Sequence, residues 1–356
     1  FDDISVFRGL SEEQMTNSGT LFPVRKAWWY IPRSHLGFEG RSKGTQGDGY
    51  YTAPNPPFGA VFTYHLSESL ISKKDQRTKN EKESLDKGKS VGFPGWDTLE
   101  AERREVKPKV IFEVKDNEGN TVRRIEGPAT KGFHRVAWDL RYPSPNAVTL
   151  ASSSNKGSGF LAAPGKYTVT MYTSMDGKTN QVSKSQNFDV VPLRSGALPT
   201  KSYANRADFW RKYEKTVRRA SAIQITVGNA LKKVDRMQTA LSQSTGDVGN
   251  LDARLHIIRN SILEMDEELS GNRSRMGPGE KNNPTVGSRL FVIQRILEYS
   301  TYGPTETAVE NLELAEKGMD QLQSQINQNR KDMESLGRRL TKVGAPWVEG
   351  EAIPKK

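Results

Sequence analysis

The sequence predicts a multidomain α+β protein, in which an irregular connector leads into an antiparallel β-sandwich and then into an all-α antiparallel four-helix bundle. Three observations support this class. Residues 1–66 are rich in glycine, proline and aromatic residues and show little periodicity. Hydrophobic residues alternate along short segments between 110 and 193, which is typical of strands. From 203 to 343 they recur every three or four residues, which is typical of amphipathic helices.

Composition limits the function classes. The chain has 356 residues, enough for two or three domains, and it has no cysteine, which excludes disulfides, thiol catalysis and cysteine-bound zinc. The formal net charge of +11 is spread over the whole length, whereas nucleic-acid binding requires clustered charge. No apolar run approaches the roughly 20 residues that span a bilayer. Because the sequence starts at Phe1, we expect a removed targeting segment or a larger parent protein.

The connector, residues 1–66, is predicted to lie over a neighbouring surface with little regular structure of its own. Large aromatic side chains would anchor it, because such residues dominate the energetics of many interfaces. Only its end alternates, so a strand is predicted at residues 60–66, entering the next domain. The predicted interface anchors are Trp28, Trp29, Tyr30, Tyr51 and Phe58.

The next segment, residues 67–109, contains the mixed-charge run SKKDQRTKNEKESLDKGKS. Charge runs usually form solvated faces, so we predict a loop or an exposed helix inserted before the sandwich. An interaction tail is the alternative for this segment.

Residues 110–193 are predicted to form the sandwich, together with the strand at 60–66. Their alternating segments are separated by turns, including the hairpin-type sequence DNEG and a turn at Asp176–Gly177. Strands at this spacing favour a small antiparallel β-sandwich. The alternating segments are KVIFEVKD, TVRRI, FHRVAWDL, APGKYTVTMYT and SQNFDVVPL.

The stretch GFHRVAWDLRYPSP, residues 132–145, gathers a histidine, a tryptophan, an aspartate and an arginine. Alternation places Trp138 on the core face and His134 at the rim of that face. Asp139 and Arg141 follow at the strand exit, where aspartate commonly accepts hydrogen bonds from turn amides. We therefore predict a structural rather than a catalytic cluster, and a structural role also for Gly165 and Tyr167 in the APGKYTV segment.

Residues 203–343 carry four hydrophobic stripes at helical spacing, which favours an antiparallel four-helix bundle. The last stripe includes one polar residue, Asn329, which is predicted to be buried and to fix the helix register. Residues 344–356 are predicted to be a tail. The last stripe consists of Leu312, Ala315, Met319, Leu322, Ile326, Asn329, Met333, Leu336, Leu340 and Val343.

No catalytic residue, metal ligand or cofactor is predicted. The four histidines lack the spacing of metal-binding motifs, and no GK[ST] follows the glycine-rich stretch near residue 45. The segment GRSKG, residues 40–44, has the glycine spacing of a nucleophile elbow but lacks the strand and helix that would flank it.

Three alternatives stay open. The first is glycoside hydrolysis, which needs two converging carboxylates; the available acids are Asp97, Glu100, Glu102, Asp116 and Asp139. The second is a carbohydrate-binding module that uses exposed aromatic residues such as Tyr142, Phe160 and Tyr172. The third is nucleic-acid binding by the basic first helix, although no helix-turn-helix, zinc finger or stacking platform accompanies it. We predict no nucleic-acid partner.

Segments within residues 1–193 resemble a known family. They are DDISVFRGL, WWYIPRSHLGF with YYTAPNPPFGAVFTYHL, and the run from PKVIFEVKDNEG to APGKYTV. They resemble the region that follows the propellers of large secreted bacterial proteins with sortilin-like (BNR) β-propellers, often labelled glycosyl hydrolases. The patterns D-x-x-G-x-x-V-R, G-x-H-R-x-x-W-D-L-R and A-P-G-x-Y-x-V also resemble the immunoglobulin-like fold of flagellar hook-capping proteins.

This resemblance implies fold and context but no catalytic residue. The Asp-box repeats of the propellers (SxDxGxTW) do not occur in this sequence. The implied protein is a non-catalytic scaffold of the cell envelope, periplasmic, outer-membrane-associated or secreted, whose sandwich is immunoglobulin-like. Its expected partners are a β-propeller domain of the same or a companion chain and further subunits of an envelope complex. If the family label applies, the active face of a glycosidase would lie in the propeller.

Overall fold

The computed structural model of the protein describes residues 4–32, 49, 55–150, 157–194 and 203–353. The structure is mixed α+β, which confirms the predicted class at that level. The chain divides into two units. The β unit comprises Phe1–Pro143 and Ser158–Ala197, and the helical unit comprises Ser144–Gly157 and Leu198–Lys356.

The strands of the β unit are β1 (Gly19–Leu21), β2 (Ala27–Trp29), β3 (Ala60–Leu66), β4 (Lys109–Asp116), β5 (Thr121–Gly127), β6 (Gly132–Trp138), β7 (Arg141–Pro143), β8 (Ser158–Leu161), β9 (Gly165–Met175), β10 (Lys178–Gln181) and β11 (Gln186–Pro192). Among the described residues they form a three-stranded sheet in the order β1-β3-β6 and a two-stranded sheet of β7 and β8. The largest sheet is a curled half-barrel in the order β2-β11-β9-β4-β5, with β10 also paired to β9.

Aromatic side chains from the two larger sheets meet in the core of the β unit. The ring of Phe62 on β3 lies 5.8 Å from those of Phe112 on β4 and Phe188 on β11. Trp138, at the end of β6, is fully buried, with its ring 5.1 Å from Tyr167 and 6.2 Å from Phe188. These contacts hold the three-stranded sheet against the half-barrel, because large aromatic rings dominate core energetics.

The N-terminal segment is more regular than the sequence predicts. A 3₁₀ turn (Ser5–Phe7) and helix α1 (Glu12–Thr16) precede β1, which pairs with β3. Strand β2 pairs in parallel with β11. The difference has a physical reason: strands of three residues carry no alternation of their own, and they are stabilised by partners far along the chain.

The charged insertion forms two exposed helices, α2 (Lys73–Asp86) and α3 (Trp96–Arg104), in agreement with the predicted exposed helix. Nε and Nη2 of Arg77 on α2 donate to the two carboxylate oxygens of Glu102 on α3, at 2.6 and 2.9 Å. These hydrogen bonds hold the pKa of Glu102 below its ordinary value. A bidentate ion pair therefore joins two helices that bury no residue of their own.

The segment after Trp138 is a tight corner. Nε1 of Trp138 donates to the carbonyl oxygen of Arg141 at 2.9 Å, and the amide of Arg141 donates to Oδ1 of Asp139 at 3.1 Å. Leu140 between them is fully buried with a φ of 55°, in the left-handed region. Asp139 thus makes the side-chain-to-turn hydrogen bond that the sequence predicts for it.

His65 on β3 is a buried titratable group, and its pKa is expected to make the β unit less stable in mild acid. Burial lowers the pKa of His65 below 6.5, and the positive charges of Lys131 and His134 lower it further. The unfolded chain then binds the proton more readily than the folded one. The free energy of unfolding should not depend on His65 above a pH of about 6.5. It should decrease as the pH drops below that value, until the pH reaches the pKa of His65 in the folded state.

This pH-dependent loss of stability is measured by urea unfolding of the full chain at pH 7.5 and pH 5.5. Hydrogen exchange of peptides from β3 and β6 detects the unfolding. His65→Phe should reduce the loss between the two pH values, because the new ring carries no titratable group and can pack against Phe133, as the imidazole does at a ring distance of 4.8 Å. His256→Gln, at an exposed helical position, is the control. An equal loss in the wild type and in His65→Phe would contradict the assignment.

The helical unit contains α4 (Tyr203–Ser242), α5 (Leu251–Ser270), α6 (Arg273–Met276), α7 (Val286–Tyr299) and α8 (Glu306–Lys342). Each of the four longer helices contacts the other three. The stripe predicted on α8 is buried except for Ile326 and Val343, which are half-buried. Asn329 is buried, and its Nδ2 donates to Oγ of Ser261 on α5 at 3.0 Å, which satisfies a polar group inside the helix packing.

Arg206 on α4 is buried at the C-terminal end of α7, where its Nη2 donates to the carbonyl oxygens of Leu297 and Ser300, each at 3.3 Å. A cation stabilises a helix C-terminus, and hydrogen bonds from charged donors are strong. We expect Arg206→Met to lower the free energy of unfolding of the helical unit by about 2 kcal/mol. Exchange of α7 amides measures it, with exposed Arg211→Met as the control; equal protection in the two variants would contradict the role.

The C-terminal segment is not a free tail within the described residues, which end at 353. Val348 is buried, and the Glu351 carboxylate lies 2.6 Å from Nζ of Lys233 on α4. Gly337 on α8 makes room for this carboxylate, because a Cβ at that position would overlap it. The predicted tail therefore packs on the helices as far as it is described.

Candidate interaction surfaces

The structure separates the predicted anchors of the connector. Trp28 is 43% exposed and Tyr30 is 39% exposed, and the ring of Tyr30 packs edge-on against half-buried Phe58 at 4.9 Å. Nζ of Lys26 lies 4.6 Å from the ring centroid of Trp28, within cation–π range. Tyr51 lies outside the described residues. We call Trp28, Tyr30 and Phe58 the edge surface.

Trp29 differs from the prediction that it anchors a partner. Its side chain is buried inside the β unit, and its Nε1 donates to the carbonyl oxygen of Ala162 at 2.7 Å. Side chains alternate along a strand, so Trp28 and Trp29 on β2 point to opposite faces. Trp29 therefore stabilises its own fold, and Trp28 is the residue of this pair that a partner can reach.

The edge surface is centred on Trp28, which lies on the end strand of a sheet, and Tyr30 directly follows that strand. Among the strands of the described residues, β2 is the first in the order of the half-barrel and pairs with β11 on one side. End strands offer peptide groups to another chain, and exposed aromatic residues beside them supply apolar contact area. The position therefore suits protein–protein association.

A second exposed aromatic pair lies in the charged insertion, where sequence reasoning missed it. Phe93 is 62% exposed and Trp96 is 77% exposed, with their rings 4.8 Å apart in an edge-on arrangement. Trp96 begins α3, directly after Gly95, whose φ of 89° turns the chain into the helix. The signal was present as the apolar segment VGFPGW inside a charged run. We call Phe93 and Trp96 the insertion pair.

The residues predicted to have structural roles make local contacts. Nε2 of His134 lies 2.6 Å from the carbonyl oxygen of Thr130, and its ring packs against Tyr64 at 5.3 Å. The hydroxyl of Tyr167 donates to the carbonyl oxygen of Ala163 at 2.6 Å, and Gly165 begins β9 with open space around it. These contacts are local and stabilise the fold around each residue.

Four of the five acids considered for glycoside hydrolysis are held in separate local contacts. Glu100 accepts from Arg103 and Arg104, whose hydrogen bonds lower its pKa. Oδ1 of Asp116 accepts from the amides of Glu118 and Asn120 in the β4–β5 turn. Asp97 lies in the first turn of α3, and Glu102 and Asp139 are engaged as described above. Among the described residues, no group of three or more acids or histidines is placed to hold a metal ion.

The basic face of α4 is partly neutralised by ion pairs. Arg219 lies 2.6 Å from Asp320 on α8, and Arg218 pairs with Glu214 one turn away. Arg211 pairs with Asp208 at 3.2 Å.

In the part of the chain that the structure describes, no helix has the length and apolarity to cross a membrane.

Comparison with known proteins adds no information on function, so the surfaces described above are the basis for a proposal. No protein-family model, curated protein or solved structure matches the chain.

Proposed function

We propose that this chain is a non-catalytic scaffold and interaction portion of a larger extracytoplasmic bacterial protein that carries a β-propeller. The observation that carries the proposal is the exposure of large aromatic side chains on ordered backbone, at the edge surface and at the insertion pair. Such residues are costly to leave in water and are enriched at interfaces. The resemblance described for residues 1–193 supplies the propeller as the partner, in the same or a companion chain, within an envelope complex.

The finer architecture proposed for the β unit is an immunoglobulin-like sandwich. Two features support it. Tyr167 hydrogen-bonds back to Ala163 four residues upstream, as a tyrosine corner does. The buried Trp138 lies between the two larger sheets, as the core tryptophan of such sandwiches does.

For the helical unit we propose an antiparallel four-helix bundle built from α4, α5, α7 and α8. Mutual contact among the four helices and the buried stripe of α8 support it. The hydrogen bond from Asn329 to Ser261 would fix the register of α8 against α5.

The proposal is tested first on the natural polypeptide, by intact mass and N-terminal sequencing from its native source. A mass well above 39.8 kDa, with propeller sequence continuous with Phe1, supports a shared chain. A propeller protein that co-purifies in fixed stoichiometry supports a companion chain. The absence of any propeller in either form would overturn the proposal.

Docking is then measured by titrating the isolated propeller with this chain. Trp28→Ala and Trp96→Ala should each weaken binding by about 10-fold or more, because truncating a buried interface tryptophan typically removes over 1 kcal/mol. Trp347→Ala, a half-exposed tryptophan of the helical unit, is the matched control and should bind as the wild type does. Unchanged affinity in both test variants would exclude these surfaces as the docking site.

A further inference from the structure

A polar groove of about 700 Å³ crosses the outward face of the half-barrel. Strands β4, β9, β10 and β11 line it, together with the turn after β4. Residues 165–169 of β9 pair with β11, and residues 172–175 of β9 pair with β10 along the same edge. Ser185, in the segment between β10 and β11, lines the groove at this edge. The volume lies in the range of small-ligand sites.

Strand register aligns the polar side chains of the groove in rows. Thr168 on β9 lies between Lys115 on β4 and Asn187 on β11. One step along, Thr170 lies opposite Glu113 on β4. Because the side-chain period of a strand is two, these residues share the face opposite the aromatic core.

The polar groups are preorganised by hydrogen bonds to one another. Oγ1 of Thr168 donates to Oδ1 of Asn187 at 2.8 Å, and the hydroxyls of Thr170 and Ser185 lie 2.8 Å apart. Thr168 therefore keeps its oxygen lone pairs as acceptors, and Asn187 keeps its amide nitrogen as a donor. Acceptors and donors so close together match the adjacent hydroxyl groups of a sugar.

Charge in the groove is balanced. Lys115 and Lys166 line it, and so do Asp116 and Asp189. Glu113 beneath them accepts from Arg124 at 3.0 Å and lies 3.2 Å from Lys115. Burial opposes the ionisation of Glu113, but those hydrogen bonds outweigh it and lower its pKa. A site with two lysines and two aspartates has no net charge to select an anion or a cation, which favours a neutral ligand.

Tyr172 supplies an apolar wall. Its half-buried ring lies in the groove, on β9 between Ile111 of β4 and Gln181 of β10. A tyrosine ring presents an apolar face and a polar tip, which suits a ligand that has C–H faces and hydroxyl edges. Of the three aromatic residues considered for carbohydrate binding, Phe160 is buried and its ring packs against that of Tyr142 at 4.5 Å. Tyr172 is the one that the groove uses.

We propose that this groove is a binding site for a short, neutral oligosaccharide. Asn187 and Thr168 would hydrogen-bond adjacent sugar hydroxyls, and the ring of Tyr172 would pack on a sugar face. The site goes beyond the scaffold function and does not depend on it, because the groove and the aromatic surfaces share no residue.

Calorimetric titration of the purified full chain tests the proposal, with neutral β- and α-linked gluco-, xylo-, manno- and N-acetylglucosamine oligosaccharides as probes. At least one should bind with a Kd of about 1 mM or tighter. Oligogalacturonate and heparin oligosaccharides are the charged comparison and should bind more weakly than the best neutral probe.

Variants then locate the binding. Asn187→Ala and Tyr172→Ala should each weaken it by about 10-fold or more, while Tyr172→Phe should retain most of it. Asn180→Ala is the matched control, at an exposed β10 position that does not line the groove. It should bind the probe as the wild type does. The proposal is overturned if no neutral probe binds, if charged probes bind better, or if Asn187→Ala and Tyr172→Ala bind as the control does.

Discussion

Replacement of Trp138 with alanine is expected to lower the free energy of unfolding of the β unit by about 3–5 kcal/mol, the usual range for a buried tryptophan. Its side chain is fully buried and contacts the rings of Tyr167 and Phe188 in the opposite sheet. Truncation leaves a cavity that rigid strands cannot close. It also removes the donor that satisfies the Arg141 carbonyl oxygen at the corner.

Hydrogen exchange under native conditions measures this change in the full chain, because it reports each unit separately. Peptides from β4 and β9 should lose protection in Trp138→Ala, while peptides from α8 should keep theirs. Trp138→Phe retains much of the ring contact but not the Nε1 donor, so its loss should be clearly smaller. Equal losses in the two variants would show that the corner hydrogen bond, and not ring packing, dominates.

Gly59→Ala is expected to destabilise the β unit by about 3 kcal/mol, the upper end of the cost of a strained backbone position, because the new side chain also meets backbone atoms. Gly59 has a φ of 107°, which side-chain-bearing residues rarely adopt. A Cβ there would overlap the carbonyl oxygen of Trp138 and come within 2.9 Å of its carbonyl carbon. Because Ala60 and Trp138 are paired across β3 and β6, backbone relief would disturb the sheet register.

Gly88→Ala isolates the backbone conformation from the collision. Gly88 also has a positive φ, of 69°, but no atom lies within 4 Å of the position its Cβ would take. Its replacement should cost about 1 kcal/mol, the conformational part alone. The comparison uses the same exchange measurement on β3 and β6 peptides. Similar losses at both positions would contradict the claim that the contact with Trp138 is what requires glycine at 59.

Elements whose period is set by their own residues were predictable. Alternation placed β3 at 60–66 and β4 from 109 or 110 onwards, and the turn predicted at Asp176–Gly177 joins β9 to β10. The hydrophobic stripe in the sequence of α8 likewise predicted the buried face of that helix. Strands β1 and β2 could not be predicted, because their stability comes from pairing with residues that local windows do not contain.

The candidate surfaces were predictable only in part, for the same reason. Aromatic content near residue 28 indicated an interface, but which of Trp28 and Trp29 faces outward depends on β2 joining β11. The insertion pair was hidden in a charged run whose helices bury no residue. The groove needs β4, β9 and β11 side by side, and that arrangement brings together side chains more than 70 positions apart.

The pairing of β2 with β11 has a consequence for how the chain is made. The amide of Leu21 donates to Ser183, 162 positions later, and Ala27 pairs with Val190. At a synthesis rate of about 5–20 residues per second, β2 waits roughly ten to thirty seconds for its partner strand. During that time Trp29 has no interior to enter, and β2 is open to foreign strands. The newly made chain is therefore expected to depend on a chaperone until β11 has emerged.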